Sequence, residues 1–153
     1  MTHGLNLTLR IKQDPETQAK LAQLAAIFAD HVQPEIERAL KKSKLVHFAR
    51  VLVIDNTYIQ VITAYEGPHR EYTEFFRREL APIFGKIFEL AEGAPDVNDV
   101  NAFWEFSKNA NIRALGRSVD GSLDFSGNPA GWLFSAYDHK DVHTILDAVG
   151  EDA

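Results

Sequence analysis

The 153-residue chain contains no cysteine. That excludes disulfides, thiolate metal ligands and a thiol nucleophile together, and it fits a reducing compartment. Long apolar runs are also missing. The longest, such as 51–54, are strand-sized, whereas a membrane-spanning helix needs about 20 apolar residues. Basic charge is in deficit: 16 Lys and Arg against 22 Asp and Glu leave a net charge of −6. A nucleic-acid partner would require the opposite, a concentrated basic face. The densest basic run, Lys41, Lys42 and Lys44, falls at the end of a predicted helix, where it complements the helix dipole. Met1-Thr2-His3-Gly4 shows no basic segment followed by an apolar core, so no secretory signal is expected. Gly-x-Ser-x-Gly, phosphate-loop and dinucleotide fingerprints are absent as well. The expectation is a cytoplasmic protein with no nucleic-acid partner and no membrane association.

What is present is the composition of one ordinary globular domain, 45% hydrophobic and 25% charged. Leu5, Leu7, Leu9 and Ile11 alternate with polar residues, the period of a strand with one buried face. Asp14-Pro15-Glu16 supplies an N-cap, a first-turn proline and an acidic first turn, so a helix starts there, with a kink or restart expected at Pro34. Two strands follow at 45–54 and 58–65, joined through Asp55-Asn56-Thr57 as a hairpin. Both are apolar on both faces, which predicts that both faces are covered. Beyond Gly67-Pro68 the pattern predicts an aromatic-rich helix bent at Pro82 and ended by Gly93 and Pro95, then a shorter helix over 96–108. The Gly-, Ser- and Asp-rich stretch 113–131 reads as an irregular insertion or small hairpin, with a type I′ turn signal at Val119-Asp120-Gly121-Ser122. A last strand at 132–137 and a last helix at 141–149 complete the chain.

This order predicts a single α+β domain over residues 1–153, a ferredoxin-like split β-α-β arrangement with a four-stranded antiparallel sheet and extra helices. Helices on one side leave the other face of such a sheet open. A second copy closing it gives a homodimer. At this point the chain resembles the dimeric α/β-barrel families, and more specifically a ferredoxin-like group associated with peroxidase- and catalase-like proteins. The resemblance rests on Val46-His47-Phe48-Ala49-Arg50, Tyr65-Glu66-Gly67 and Phe134-Ser135-Ala136-Tyr137, with Asp138 where the family often has proline. It implies the fold and the dimeric α/β barrel. Families of this type include cofactor-free monooxygenases and haem proteins, but none of the three segments is a catalytic signature.

The candidate site lies where polar groups interrupt the apolar strands. His47 and Arg50, three residues apart on a strand, are expected on opposite faces and not as a direct pair. Arg50 is costly to bury alone, so it is expected on a cavity or paired with an acid such as Glu66. There it would recognise an anion or polarise a bound oxygen species, the plainer alternative being an ion pair at a dimer seam. His47 reads as a general base, a haem ligand or a core histidine bonded to backbone. His31 is a second haem candidate, with simple exposure as the plainer reading. Tyr65, Tyr137, Trp104 and Trp132 are candidates to line an apolar or aromatic ligand pocket. His139 and His143 have the spacing of a helical metal pair, but no Glu lies between them and Asp141 reads as a helix N-cap, so no metal is assigned. Three functions follow: a small-molecule site between sheet and helices, monooxygenase- or peroxidase-related, with Arg50, His47 and Tyr65 as its polar groups; a haem-binding protein; or a non-catalytic dimerisation module.

Overall fold

The computed structural model describes residues 1–150. Strand β1 (His3–Arg10) leads into helix α1 (Pro15–Ile27), a π-helical turn (Phe28–Val32) and helix α2 (Gln33–Ser43). Strands β2 (Val46–Ile54) and β3 (Tyr58–Tyr65) form a hairpin. Helices α3 (His69–Glu79), α4 (Ala81–Leu90), α5 (Val100–Ala110) and α6 (Val142–Val149) complete the order.

Local chemistry accounts for most of these boundaries. The Asp14 carboxylate accepts hydrogen bonds from the Thr17 amide (3.0 Å) and hydroxyl (2.7 Å), capping α1 just before Pro15. Pro34 does not break the helix. It has no N–H to donate and its ring crowds the carbonyl four residues back, and the backbone answers by widening to a π turn in which the Gln33 amide reaches the Phe28 carbonyl. The hairpin loop places both Asp55 (φ 51°) and Asn56 (φ 49°) in the left-handed region, closed by Thr57 N–H to the Ile54 carbonyl at 2.9 Å. Those are the dihedrals that a two-residue type I′ turn demands. Pro82 shows as the break between α3 and α4 at Leu80.

The sheet is antiparallel in the order β1-β3-β2. Leu5, Leu7 and Leu9 of β1 and Ile59 of β3 are buried on one face, against α1, α3, α4 and α5. Phe88 and Phe103 stack at 5.1 Å in that layer.

The expected fourth strand is not there: 132–137 forms no strand. The free edge of β1 is met at two other places. Near one end, Lys12 N–H donates to the Leu90 carbonyl (2.9 Å) and Glu92 N–H to the Arg10 carbonyl (2.8 Å). Nearer the other, Ile112 N–H donates to the Asn6 carbonyl (3.0 Å) and Asn6 N–H to the Asn111 side-chain oxygen (2.9 Å). With these groups already paired, 132–137 has no continuous edge to join.

One further expectation is corrected. The hairpin within 113–131 does not turn at Val119-Asp120-Gly121-Ser122, where Asp120 keeps a negative φ. It turns at Asp124, whose carboxylate accepts from the amides of Ser126 and Asn128, each at 2.9 Å. Within one chain β2, apolar on both faces, keeps part of its surface bare: Phe48 is 76% exposed, and Val53 and Ile54 are also exposed. Among the described residues, no helix is long and apolar enough to cross a membrane.

Candidate functional site

Two cavities flank the sheet. The first, about 410 Å³, lies between the sheet and the helices. Its wall is apolar, with Leu7 and Val61 from the strands facing Phe28, Ile36, Phe76 and Phe84 from the helices. Few polar groups interrupt it. Thr63 and Tyr72 use their hydroxyls on each other at 2.8 Å. Ser107, 4% exposed, has a hydroxyl with no hydrogen-bond partner among the described residues. Glu37 on α2 is the one anion lining this cavity; Arg50 of β2 borders it, but lies between Ala49 and Val51 in the strand and so projects to the sheet's other face. Both are exposed, and neither makes a hydrogen bond or ion pair with another described residue.

The second cavity, about 480 Å³, runs along the sheet's other face. There Phe48 and Arg50 of β2, Ile62 and Ala64 of β3, and Gly4 and Asn6 of β1 lie opposite one another in the register. Trp132 and Leu133 line it from across the gap, and it reaches His3 and His69. Ala49, Arg50 and Thr63 border both cavities, as residues of a one-layer sheet do, Ala49 and Thr63 projecting to the helix side and Arg50 to the other.

The sequence candidates scatter across this geometry. A β-bulge between Val46 and Phe48 takes His47 out of strict alternation. Its ring Nε2 then meets the Glu66 carboxylate at 2.8 Å, and the Thr2 hydroxyl donates to the same oxygen. Glu66 is thus committed to His47, and the expected Arg50–Glu66 pair does not form. The bulge supplies the reason, because it brings a different β2 side chain to Glu66.

Tyr65 is fully buried, stacked on Tyr72 with ring centroids 3.7 Å apart. Its hydroxyl is hydrogen-bonded to His69 Nδ1. The other ring nitrogen of His69 faces the Leu123 carbonyl at 3.2 Å and must donate there, which leaves Nδ1 to accept the tyrosine proton. Burial pushes the Tyr65 phenol well above its ordinary range, with smaller contributions from Tyr72 and Asp124, so it stays a neutral donor. Tyr65 lines neither cavity. It braces His69, which lines the second.

Trp132, 57% exposed, lines the second cavity with Arg50. Tyr137 is exposed and lines neither. Trp104 packs on Phe125 at 4.8 Å beneath the Arg70 guanidinium, a packing role. His139 precedes α6, with φ 56°, and only His143 lies on the helix. The i, i+4 premise for a metal pair therefore fails. Among the described residues no group of three or more potential ligands gathers. His31 is exposed on the π turn, and neither it nor His47 lines either cavity.

The residues that sequence reasoning passed over are His3, His69, Ser107 and Ser122. Burial holds the His3 imidazole far below the ordinary range, at about 4, with the neighbouring His69 and the Met1 amino group adding to the effect. His69 had one faint signal, its place four residues after Tyr65 at the head of a helix. The others had none.

Comparison with known proteins decides nothing further. No family model, no curated protein and no solved structure matches this chain.

Proposed function

We propose that the protein binds a small, mainly apolar molecule with one uncharged polar end in the cavity between sheet and helices. The observation that carries this reading is an apolar cavity of about 410 Å³ with the buried, unpartnered Ser107 hydroxyl in its lining. Size and lining are those of small-ligand sites, where a few polar groups orient an apolar body. The Ser107 hydroxyl would take the ligand's polar end, since it can donate or accept. Glu37 on α2, the one anion in the lining, disfavours an acid. Medium-chain alcohols and bicyclic aromatic alcohols meet these requirements. The reading assigns binding in a cytoplasmic protein and no reaction.

Thermal-shift and calorimetric titration with decanol and naphthol tests it. Binding should weaken about fivefold in Ser107→Ala, the scale of one lost hydrogen bond. It should be unchanged in Arg50→Ala and disappear in Ile36→Trp, which fills the cavity. Stabilisation that survives both Ser107→Ala and Ile36→Trp would sink the proposal.

The uncovered part of β2 also supports a homodimer. The strand is an edge nine residues long, and Arg50 is its one Lys, Arg, Asp or Glu. Pairing of such an edge and face with a two-fold copy satisfies both surfaces at once, and the dimeric barrel expected above is one form of it. A monomer by light scattering at micromolar concentration would contradict this part of the reading.

A further inference from the structure

The second cavity has a constructed roof. A Cβ on Gly131 would lie 2.1 Å from the Ala114 carbonyl oxygen, so glycine is needed for 114 and 131 to run this close. The Trp132 N–H donates to the Leu115 carbonyl at 2.9 Å. The Arg113 guanidinium gathers the carbonyls of Ala114 (3.0 Å), Gly116 (2.7 Å) and Pro129 (2.7 Å). Together these hold Trp132 across from the sheet.

Most polar groups in the wall are already engaged. Arg113 is taken by carbonyls, the Asp124 carboxylate by two amides, the Asn6 side-chain amide by the Ile112 carbonyl, and His69 by Tyr65 and Leu123. Three are not fully engaged. Arg50 makes no hydrogen bond or ion pair with a described residue. The Ser122 hydroxyl oxygen is buried with no close hydrogen-bond partner among the described residues, the nearby Asp120 carboxylate being the group it acts on. The His3 imidazole touches the rings of His69 (4.5 Å) and Tyr65 (5.5 Å) but makes no hydrogen bond with a described residue. Unsatisfied polar groups of this kind call for an explanation.

A hydroxyl and a neutral imidazole can each both donate and accept. They share the cavity with the aromatic side chains of Phe48 and Trp132. With Asp124 and Arg113 engaged, the free charge in the wall is Arg50, which disfavours a cationic ligand. We propose that this cavity binds a planar nitrogen heteroaromatic without positive charge, of nucleobase or nicotinamide size, with one face against Trp132 and its donor–acceptor edge toward His3 and Ser122. The depressed basicity of His3 supports this, because the ring stays neutral and keeps an acceptor nitrogen at physiological pH. The charged or titratable groups acting on it are His69, the Met1 amino group, Glu66 and Asp120.

The test titrates the full chain with adenine, uracil and nicotinamide, followed by tryptophan emission and calorimetry. At least one probe should give a saturable emission change that is kept in Trp104→Phe and lost in Trp132→Phe. His3→Phe keeps the ring volume and Ser122→Ala lies in an irregular segment, so each should retain the fold by circular dichroism while weakening binding about tenfold. Absence of saturable binding by all three probes would overturn the proposal. So would affinity unchanged in both His3→Phe and Ser122→Ala, or an equal response to toluene, which has the ring but no hydrogen-bonding edge. Decanol, the probe of the other cavity, should not compete, and failure of decanol to bind leaves this result standing.

Discussion

Replacing Gly131 by alanine places a methyl carbon 2.1 Å from the Ala114 carbonyl oxygen, 2.6 Å from its carbonyl carbon and 2.9 Å from its Cβ. Two of those three atoms are backbone, so no side-chain rotation relieves the clash. One of the two strands of chain must retreat by roughly 1 Å, and overpacking of this kind costs about 1–3 kcal/mol. The Trp132-to-Leu115 hydrogen bond at 2.9 Å lies next to the clash, and its loss adds about 1 kcal/mol. The total is therefore about 2–4 kcal/mol if the whole fold absorbs it, and less if the roof alone opens. Urea unfolding distinguishes the two. In a Trp104→Phe background, emission reports Trp132 and far-ultraviolet circular dichroism reports the helices. A fall in both midpoints indicates global coupling, whereas a shifted native emission with unchanged circular dichroism indicates local opening. Gly121→Ala is the control. Its Cβ meets nothing within 4 Å, so only the strain of φ +74° applies, about 1 kcal/mol. If Gly131→Ala changes neither the midpoints nor the native emission, the account of how Trp132 is held is wrong.

Glu66→Ala leaves the His47 ring and the Thr2 hydroxyl without their shared acceptor in a buried setting, and should cost about 2–4 kcal/mol by denaturant unfolding. A double-mutant cycle with His47→Ala should then show strong coupling, and simple additivity would remove the bulge-centred cluster as a structural element. His3 makes stability depend on pH in a defined window. Its folded pKa is about 4 against 6.5 for the free side chain, so between these values the unfolded chain binds the extra proton. Stability should be complete above pH 6.5 and fall as pH drops toward 4. Because the ring is only half-buried, the loss discounts to about 1–2 kcal/mol. His3→Phe should flatten that part of the profile, and an unchanged slope would refute the assignment.

Much of the fold is legible along the chain because its signals are local. The period of two in Leu5, Leu7, Leu9 and Ile11 announces β1, Asp14-Pro15 announces α1, and Asp55-Asn56-Thr57 announces a hairpin. Each depends only on neighbouring residues. The fourth strand was misread because 132–137 has strand chemistry, while its pairing depends on an edge already used by 90–92 and 111–112. Propensity cannot register that competition. The site was half legible. Arg50 and Trp132 interrupt their surroundings enough to stand out, and both line the second cavity. His47 also stands out, but an extra residue in β2 turns it toward Glu66.

By itself, then, the sequence determined an acidic, cysteine-free α+β chain, its helix caps and its hairpin, all set by composition or by contacts within a few residues. Tertiary structure alone decided which edge of β1 was taken, which side of β2 stayed bare and which polar groups met. His3 and His69 illustrate the reason. They are 66 residues apart in the chain and carry no shared motif, yet their rings lie 4.5 Å apart because β1 pairs with β3 and α3 begins just beyond it. Their neighbourhood is a product of register and packing, which no local window contains.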